Sequence, residues 1–583
     1  MKDFFKVVLA CTVSIVIVGI VLPIFGVVSL VNAVSSDGVS EIKENSVLFL
    51  DLKGALEERA EDMQLASVLG DDYLTCGLDD ILASIKKGKE DANIKGIYLQ
   101  AGAMEAEAAS LEEIRGELAS FKESGKFVVA YGDQYSQGMY YLATVADKVI
   151  VNPTGSIAWH GLAAQPIFFK NVLEKLGVEM QIFKVGTYKS AVEPYIATEM
   201  SDANREQVVE YMNSVWRDMT EAVSASRGIS VEKLNEYADR YMDVRQAHEY
   251  IECGLADTLL YKDGVLDYLK NLAGVGVENK LALVRVEDIV ESLKPAVVSD
   301  CKVAVYYAFG EIDNSTSNDE GINSNKVIKE LRELREDKNV KAVVLRVNSP
   351  GGSAYASEQI WREVTLLKAA KPVVVSMGDY AASGGYYISC AADRIVANST
   401  TLTGSIGIFG MIPSVEKLLN EKIGLDFDLV KTNKLADMGT LTRSFNDDEK
   451  AIMQEYINKG YELFLKRCAD GRRMSVEDID KIGQGRVWTG SKAKELGLVD
   501  EVGDLDKAIG IAAQLAQVGD YDVVAYPTEA NFMEKLLDEN KSEYMEAVAQ
   551  NVFGDFYNSV MFVRRVCDFY PVQARLPFEL NMR

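Results

Sequence analysis

The chain of 583 residues contains only two histidines, His160 and His248, and its seven cysteines form no Cys-x-x-Cys pair. So little histidine excludes a histidine-rich metal site and leaves little room for a Ser-His-Asp triad. The cysteines are too few and too scattered for a disulfide framework. The chain has fewer basic residues (62) than acidic residues (88), which gives it a net charge of −26. A body this acidic repels phosphate backbones, so nucleic acid is not an expected partner.

Charged residues are absent from Val7 to Val31, at the start of the chain. As a helix, this run would span a hydrocarbon core of about 30 Å. Lysines precede the run and acidic residues dominate after it, which places the short N-terminus in the cytoplasm and the body outside it. We therefore predict a cytoplasmic end with a transmembrane anchor at 1–33 and a polar linker at 34–45. A cleaved signal peptide is the alternative, although the apolar run is longer than such segments usually are.

The body of the protein contains an internal repeat. Three pairs of similar segments, each separated by 246 positions, are 93–100 (NIKGIYLQ) with 339–346 (NVKAVVLR), 131–141 (YGDQYSQGMYY) with 377–387 (MGDYAASGGYY), and 146–152 (ADKVIVN) with 392–398 (ADRIVAN). Ordered matches at one spacing are hard to obtain by chance. The predicted organisation is a first repeat at 46–285, a connector at 286–299, a second repeat at 300–525 and a C-terminal tail at 526–583.

Apolar strands alternate with helices in the second repeat. Short apolar runs at 303–308, 343–347 and 372–377 predict strands, and apolar residues at helical spacing predict helices over 327–335 and 356–369. This alternation predicts an α/β fold in which helices cover a parallel sheet.

Two glycine-rich turns of the second repeat could carry chemistry. Ser349-Pro350-Gly351-Gly352 follows a predicted strand, and Ala382-Ser383-Gly384-Gly385 precedes a predicted helix. A serine at a strand-to-helix turn presents its hydroxyl to solvent, and the backbone N–H groups that follow point to where an oxyanion could form. Purely structural turns are the alternative. The first repeat, however, has Gln137 in place of Ser383 and keeps no Pro-Gly-Gly, which favours a catalytic role.

A serine nucleophile needs a base, and neither histidine is a good candidate. His160 and His248 are better explained as solvated or packed side chains. A lysine can serve when burial lowers its pKa toward neutrality. Lys189 lies in the segment GTYKSAVEP after a short predicted strand, and the second repeat has no lysine in register. A surface lysine on a loop is the alternative. We expect one dyad divided between the repeats, with Lys189 as base and Ser383 as nucleophile.

The segments SPGG, GDYAASGGYY and TGSIGIFG, the upstream GTYKSAVEP, the tandem repeat and the N-terminal anchor together resemble the long form of the SppA (protease IV) signal peptide peptidases. The resemblance implies two tandem domains of the Clp-protease/crotonase type and a serine peptidase that cuts hydrophobic signal peptides left after signal peptidase cleavage. It implies Ser383 as nucleophile, Lys189 as general base, and an oxyanion hole formed by Gly384 with Gly352 or Gly351. Ser190 is implied, more weakly, to orient the Lys189 amine.

The same resemblance implies a homotetramer anchored in the bacterial inner membrane, with its catalytic body on the periplasmic side. No metal or organic cofactor is implied.

Two other functions are weighed against this one. A crotonase-like acyl-CoA enzyme would also build an oxyanion hole from glycine turns, but its cofactor is cytoplasmic. A non-catalytic membrane scaffold would fit the first repeat alone but not the intact motifs of the second.

Overall fold

The computed structural model describes residues 42–59, 75–276, 278–293, 300–314, 321–528 and 572–575. The predicted anchor (1–33) and most of the predicted linker and tail lie outside these residues. Within the described ranges, no helix combines the length and the apolar character needed to cross a membrane.

The described residues form strands and helices in regular alternation. In chain order the strands are β1 (Ser46–Glu57), β2 (Thr75–Gly77), β3 (Ile94–Glu105), β4 (Phe127–Tyr135), β5 (Lys148–Ile157), β6 (Glu179–Val185), β7 (Thr258–Leu259), β8 (Leu283–Arg285), β9 (Lys302–Phe309), β10 (Ile312–Asp313), β11 (Ile322–Asn323), β12 (Val340–Ser349), β13 (Gly351–Ser353), β14 (Val373–Ala382), β15 (Arg394–Ala397), β16 (Leu402–Gly404), β17 (Ile408–Ser414), β18 (Val487–Thr489), β19 (Glu501–Val502), β20 (Asp522–Tyr526) and β21 (Val572–Arg575).

The α-helices, in chain order, are α1 (Leu78–Glu90), α2 (Ala108–Lys122), α3 (Gln137–Ala143), α4 (Lys170–Leu176), α5 (Glu193–Ile196), α6 (Asp202–Arg227), α7 (Val231–Asp239), α8 (Ala247–Glu252), α9 (Lys262–Ala273), α10 (Val286–Ser292), α11 (Ser324–Glu336), α12 (Ala354–Ala370), α13 (Gly384–Ser389), α14 (Asp447–Arg472), α15 (Val476–Ile482), α16 (Gly490–Glu495) and α17 (Leu505–Ala516). A 3₁₀ turn covers Met242–Val244, and a π-helical turn covers Leu418–Ile423.

The chain folds into two compact units whose boundaries differ from those of the sequence repeats. The first unit comprises residues up to 105, 114–158 and 243–296. The second comprises 106–113, 159–242 and everything from 297 onward. Residues 159–242, which precede the second repeat in the chain, therefore belong to the same compact unit as that repeat. The boundaries of the repeats themselves stay a prediction from sequence.

The first unit is built on one parallel sheet. Its strand order is β2-β1-β3-β4-β5-β7, and β8 pairs with β1. The apolar side chains of the central strands are fully buried, as in Leu48, Leu99 and Ile150. On one face, Val265 and Leu269 of α9 pack against these strands. Strands buried on both faces typically carry continuous apolar runs in the sequence.

The second unit contains a larger sheet of the same type, with the order β18-β16-β14-β12-β9-β20. Strands β20, β9, β12, β14 and β16 are parallel to one another, whereas β18 is antiparallel to β16. All three strands and both helices predicted in the second repeat are present, as β9, β12, β14, α11 and α12. The prediction of a parallel sheet covered by helices is confirmed.

A mixed sheet also forms in the second unit, and the sequence did not predict it. Its strand order is β11-β10-β13-β21-β17-β6. Strand β6 comes from the first sequence repeat and pairs antiparallel with β17, with Val185 opposite Ile408 and Glu179 opposite Ser414. Strand β21 comes from the C-terminal tail. This sheet brings together segments that are far apart in the chain.

Candidate active site

Ser383 occupies the turn between β14 and α13, where the sequence predicted a strand-to-helix turn. Its backbone has φ 56° and ψ −110°, an unusual conformation for a residue with a side chain. Such a conformation costs about 1–3 kcal/mol and is found where the surrounding structure enforces it. Here the Ser383 N–H donates to the Gly404 carbonyl at 2.8 Å, and the Tyr387 N–H donates to the Ser383 carbonyl at 2.8 Å. The side chain does not cap the helix, so its hydroxyl is free to face another group.

Lys189 follows β6 on a short loop that is held by close backbone contacts. The Tyr188 N–H donates to the Gln484 carbonyl at 2.9 Å. Gly485 has φ +76°, and a Cβ at this position would lie 2.6 Å from the Lys189 backbone nitrogen. A Cβ on Gly407 would lie 3.2 Å from Lys189 Cδ. Lys189 thus passes between Gly407 and Gly485, and any larger residue at either position would crowd it.

The two residues predicted as a dyad are brought into direct contact within the second unit. Lys189 Nζ lies 2.7 Å from Ser383 Oγ. Both side chains are completely buried. Burial also holds the pKa of Lys189 well below its ordinary value of 10.5, because a buried ammonium loses its hydration. The Lys189 amine therefore lies next to an oxygen that could act as a nucleophile, and its burial favours the uncharged form.

Ser405 also contacts the amine, and the sequence analysis did not single it out. Lys189 Nζ donates to Ser405 Oγ at 3.0 Å and to the Ser405 carbonyl at 3.2 Å. Ser405 follows β16 with a positive φ of 50°, and its N–H donates to the Arg486 carbonyl at 2.7 Å. The motif Thr403-Gly404-Ser405-Ile406 occurs in both repeats. A comparison that looks for catalytic residues where the two repeats differ therefore cannot identify Ser405.

Ser190 is placed differently from the prediction that it orients the lysine amine. Its Oγ accepts a hydrogen bond from Gln207 Nε2 at 3.0 Å. The same Gln207 amide donates to the Tyr188 carbonyl at 3.1 Å, and its Oε1 accepts from the Val487 N–H at 3.2 Å. In this structure Ser190 helps to fix the loop that carries Lys189, while Ser405 contacts the amine itself.

The three glycines predicted to form an oxyanion hole lie close together. A Cβ on Gly384 would lie 3.1 Å from the Gly352 nitrogen, and a Cβ on Gly351 would lie 2.7 Å from the Gly384 nitrogen. The Gly351 N–H donates to Ser349 Oγ at 3.1 Å and is thereby occupied. Of the two alternatives left open by the sequence, the geometry favours Gly352 as the partner of Gly384.

The two histidines and Cys390 are other residues whose side chains could act as a base or a nucleophile. His160 and His248 are both exposed, and the His160 ring lies 5.8 Å from that of Tyr241. Both are accordingly solvated or packed side chains, as predicted. Cys390 is buried, and its thiol donates to the Tyr387 carbonyl at 3.1 Å. In the described part of the chain, no group of three or more His, Cys, Asp or Glu side chains could hold a metal ion.

Known proteins resemble this chain over most of its length. The model of peptidase family S49 matches twice, at residues 120–276 and 365–519, and a Clp protease model matches residues 310–403. Protease 4 of Salmonella typhi is 38% identical over 516 residues, which cover 86% of this chain and 83% of the relative. Protease 4 of Haemophilus influenzae is 36% identical, covering 86% of this chain and 84% of the relative. The chloroplastic serine protease SPPA of Arabidopsis thaliana is 32% identical, covering 82% of this chain and 70% of the relative.

Proposed function

Because this chain belongs to peptidase family S49 and is a serine peptidase, we propose that Ser383 is its nucleophile and Lys189 its general base. The observation that carries this assignment is the distance of 2.7 Å between Lys189 Nζ and Ser383 Oγ in a fully buried setting. A lysine can act as a base only when it is uncharged, and burial supplies that condition without a second charged group.

The uncharged amine accepts the proton of the Ser383 hydroxyl as Oγ attacks the carbonyl carbon of the substrate. The resulting oxyanion is stabilised by the N–H groups of Gly384 and Gly352, which lie on adjoining turns. The protonated Lys189 then gives its proton to the leaving amine, and an acyl ester remains on Ser383. Water, deprotonated by the same lysine, hydrolyses this ester and returns the site to its starting state.

Ser405 keeps the amine in place through these proton transfers. Its hydroxyl and carbonyl oxygens both lie within hydrogen-bond distance of Nζ. Both oxygens are uncharged, so they orient the amine without the strong bias toward the ammonium form that a carboxylate would impose. Ser405 is thus a positioning residue for the proposed base.

The substrates are hydrophobic peptides, namely signal peptides left in the membrane after signal peptidase cleavage. Two features support this proposal. The uncharged run from Val7 to Val31 would hold the enzyme at the membrane where such peptides accumulate, with the catalytic body on the periplasmic side. In the mixed sheet, glycine-rich strand β13 beside the proposed oxyanion hole pairs antiparallel with an extended segment of the tail, β21, and this is the backbone pairing that an extended peptide substrate would make.

We further infer that the working form is a homotetramer. The segment after the π-helical turn exposes apolar side chains at alternate positions, with Leu425, Phe427 and Leu429 each about half exposed and Val430 almost entirely so. Several exposed apolar side chains in one short segment are typical of a site of protein association. The oligomeric mass in solution, before and after charged substitutions at Phe427 and Val430, tests this inference.

Cleavage of a fluorogenic apolar peptide by the purified full chain tests the dyad. We expect Ser383→Ala and Lys189→Met each to lower kcat/KM by about three orders of magnitude or more. Lys184→Met is the matched control, because Lys184 is another partly buried lysine and lies on β6, five residues before Lys189. Wild-type rates in either dyad variant, with the control unchanged, would refute the assignment.

A further inference from the structure

Gln207 is a buried polar residue on the packing face of helix α6. It is 1% exposed, and Asn204, Val208 and Tyr211 of the same helix are buried as well. A glutamine amide loses its hydration on burial, which is unfavourable unless hydrogen bonds replace the water. Gln207 has four such partners, all within 3.2 Å. They belong to the loop that carries Lys189, to α6 itself and to strand β18.

The donor end of the Gln207 amide holds the loop on both sides of Lys189. Nε2 donates to the Tyr188 carbonyl at 3.1 Å and to the Ser190 hydroxyl oxygen at 3.0 Å. It also lies 3.0 Å from Asn204 Oδ1 on its own helix. Because a residue's backbone has only two soft torsions, restraining both of its neighbours restrains the direction in which its side chain leaves the chain. Gln207 thereby fixes the point from which the Lys189 side chain starts.

The acceptor end of the same amide reaches the residue that holds the Lys189 amine. Oε1 accepts from the Val487 N–H at 3.2 Å. The carbonyl of that peptide group belongs to Arg486, and it accepts from the Ser405 N–H at 2.7 Å. Ser405 in turn contacts Lys189 Nζ through two oxygens. Since a peptide group is rigid and planar, the group between Arg486 and Val487 transmits the position of Gln207 to Ser405.

Strand β18 also connects Gln207 to the proposed nucleophile. Val487 lies opposite Gly404 in the antiparallel pair of β18 and β16. The Gly404 carbonyl accepts from the Ser383 N–H at 2.8 Å. The contacts that begin at Gln207 therefore lead to both members of the proposed dyad.

This position requires a neutral group that donates and accepts at the same time. A glutamine amide does both, whereas an ionised glutamate accepts but cannot donate. A methionine of similar length would do neither, and it would remove the acceptor of the buried Val487 N–H, which is unfavourable. A carboxylate would in addition favour the charged form of the nearby lysine. The uncharged amide avoids both penalties.

We propose that Gln207 is a positioning residue that restrains the Lys189 side chain at both of its ends. The inference rests on the proposed function, because it takes Lys189 to be the base. Gln207 acts through Tyr188 and Ser190 where the side chain begins and through Ser405 at the amine. Lysine has a long, flexible side chain, and a displacement of about 1 Å from the productive geometry can cost about a hundredfold in rate.

Steady-state hydrolysis of a fluorogenic apolar peptide by the purified full chain tests this inference. Gln207→Met should lower kcat about tenfold or more and leave KM nearly unchanged, because the base is displaced while peptide binding is retained. Gln181→Met is the matched control. Gln181 is 5% exposed, and its Oε1 likewise accepts from a backbone N–H, that of Phe445 at 2.6 Å. It should lower the melting temperature as Gln207→Met does but keep the wild-type kcat.

Combination with Ser405→Ala separates positioning from a general loss of stability. Because Gln207 acts in part through Ser405, the loss of kcat in the double variant should be smaller than the product of the two single losses. Thermal melting establishes which variants are folded. If Gln207→Met is unfolded at the assay temperature, Gln207→Glu decides instead. It keeps the shape and the acceptor for Val487 but, when ionised, donates no hydrogen bond, so kcat should again fall at unchanged KM.

Ser383→Ala and Lys189→Met, measured in the same assay, separate this inference from the proposed function. With both of these variants inactive, four results would each overturn the role of Gln207 and leave the dyad intact. They are a wild-type kcat in the folded Gln207 variant, an equal loss in Gln181→Met, a change in KM alone, and losses that multiply in the double variant. Wild-type rates in the dyad variants would overturn the proposed function and this inference together. A fall in kcat alone that is absent from Gln181→Met and reduced in the Ser405→Ala background supports the inference.

Discussion

Lys189 Nζ contacts two oxygens of a single residue, Ser405, at 3.0 Å to the hydroxyl and 3.2 Å to the carbonyl. Ser405 is itself fixed, because its N–H donates to the Arg486 carbonyl and its φ is positive. The flexible end of a lysine side chain is thereby held against Ser383. A second serine, Ser405, that acts through the lysine gives the proposed site a testable dependence on the orientation of the amine.

Ser405→Ala should lower kcat while leaving KM nearly unchanged. The hydroxyl that restrains the amine is lost, and a displacement of about 1 Å can cost about a hundredfold in rate. Steady-state kinetics on an apolar peptide measure both constants. Ser444→Ala, a serine whose hydroxyl bonds to Glu179, is the control and should behave as the wild type. A rise in KM alone would show that Ser405 contributes to peptide binding and not to orientation of the base.

Peptidase activity should rise with pH and level off below the ordinary lysine pKa of 10.5. Only the uncharged amine accepts the serine proton, and burial lowers the pKa of Lys189 well below that value. The measurement is kcat/KM across the range of about pH 5 to 10. Activity that increases only as pH approaches 10.5 would mean that Lys189 is not desolvated during the reaction.

Lys189→Met should raise the free energy of unfolding at neutral pH. The wild type gives up a proton or buries a charge at Lys189 when it folds, since the folded pKa is lowered and the unfolded pKa is ordinary. Between these two pKa values the unfolded chain binds more protons, so wild-type stability increases with pH in that window. The advantage of the variant should therefore shrink as pH approaches 10.5. Denaturant unfolding at several pH values checks this, and an advantage that does not depend on pH would contradict it.

Gly485→Ala should abolish most activity and destabilise the protein. The added methyl group would lie 2.6 Å from the Lys189 nitrogen, and the backbone has φ +76°, which costs a residue with a side chain about 1–2 kcal/mol. Gly510→Ala in α17 is the control, because a Cβ there meets nothing within 4 Å. It should stabilise the helix by about 0.5–1 kcal/mol. Unchanged peptidase activity in Gly485→Ala would indicate that the Lys189 loop can shift without harm.

Much of the two parallel sheets was predictable, because their strands carry a local signal. Runs such as 343–347 are apolar on both faces, and helices such as α11 show apolar residues at regular spacing. The difference between the repeats also pointed to Ser383 and Lys189. This comparison can find a catalytic residue only when the residue is present in one repeat and missing from the other.

The mixed sheet and the surroundings of Lys189 were not predictable in this way. Strands β10, β11 and β13 have two or three residues each, which is too short for a periodic pattern. Ser405 lies in a motif shared by both repeats, so the comparison between them gave no signal. Ser190 is adjacent to Lys189 in sequence, yet its hydroxyl bonds to Gln207. Neighbours along the chain do not reveal which side chain faces the amine.

Residues 159–242 lie in the compact unit that holds the second repeat, and this arrangement has an evolutionary consequence. A gene encoding only residues 300–583 would make a protein with the serine but without the lysine, and β17 would lose its partner β6. A gene ending before residue 300 would have the opposite defect. With the proposed dyad divided between the two copies, neither copy could be deleted, inherited alone or moved into another protein without loss of activity. On this proposal the two copies must evolve as a single heritable unit.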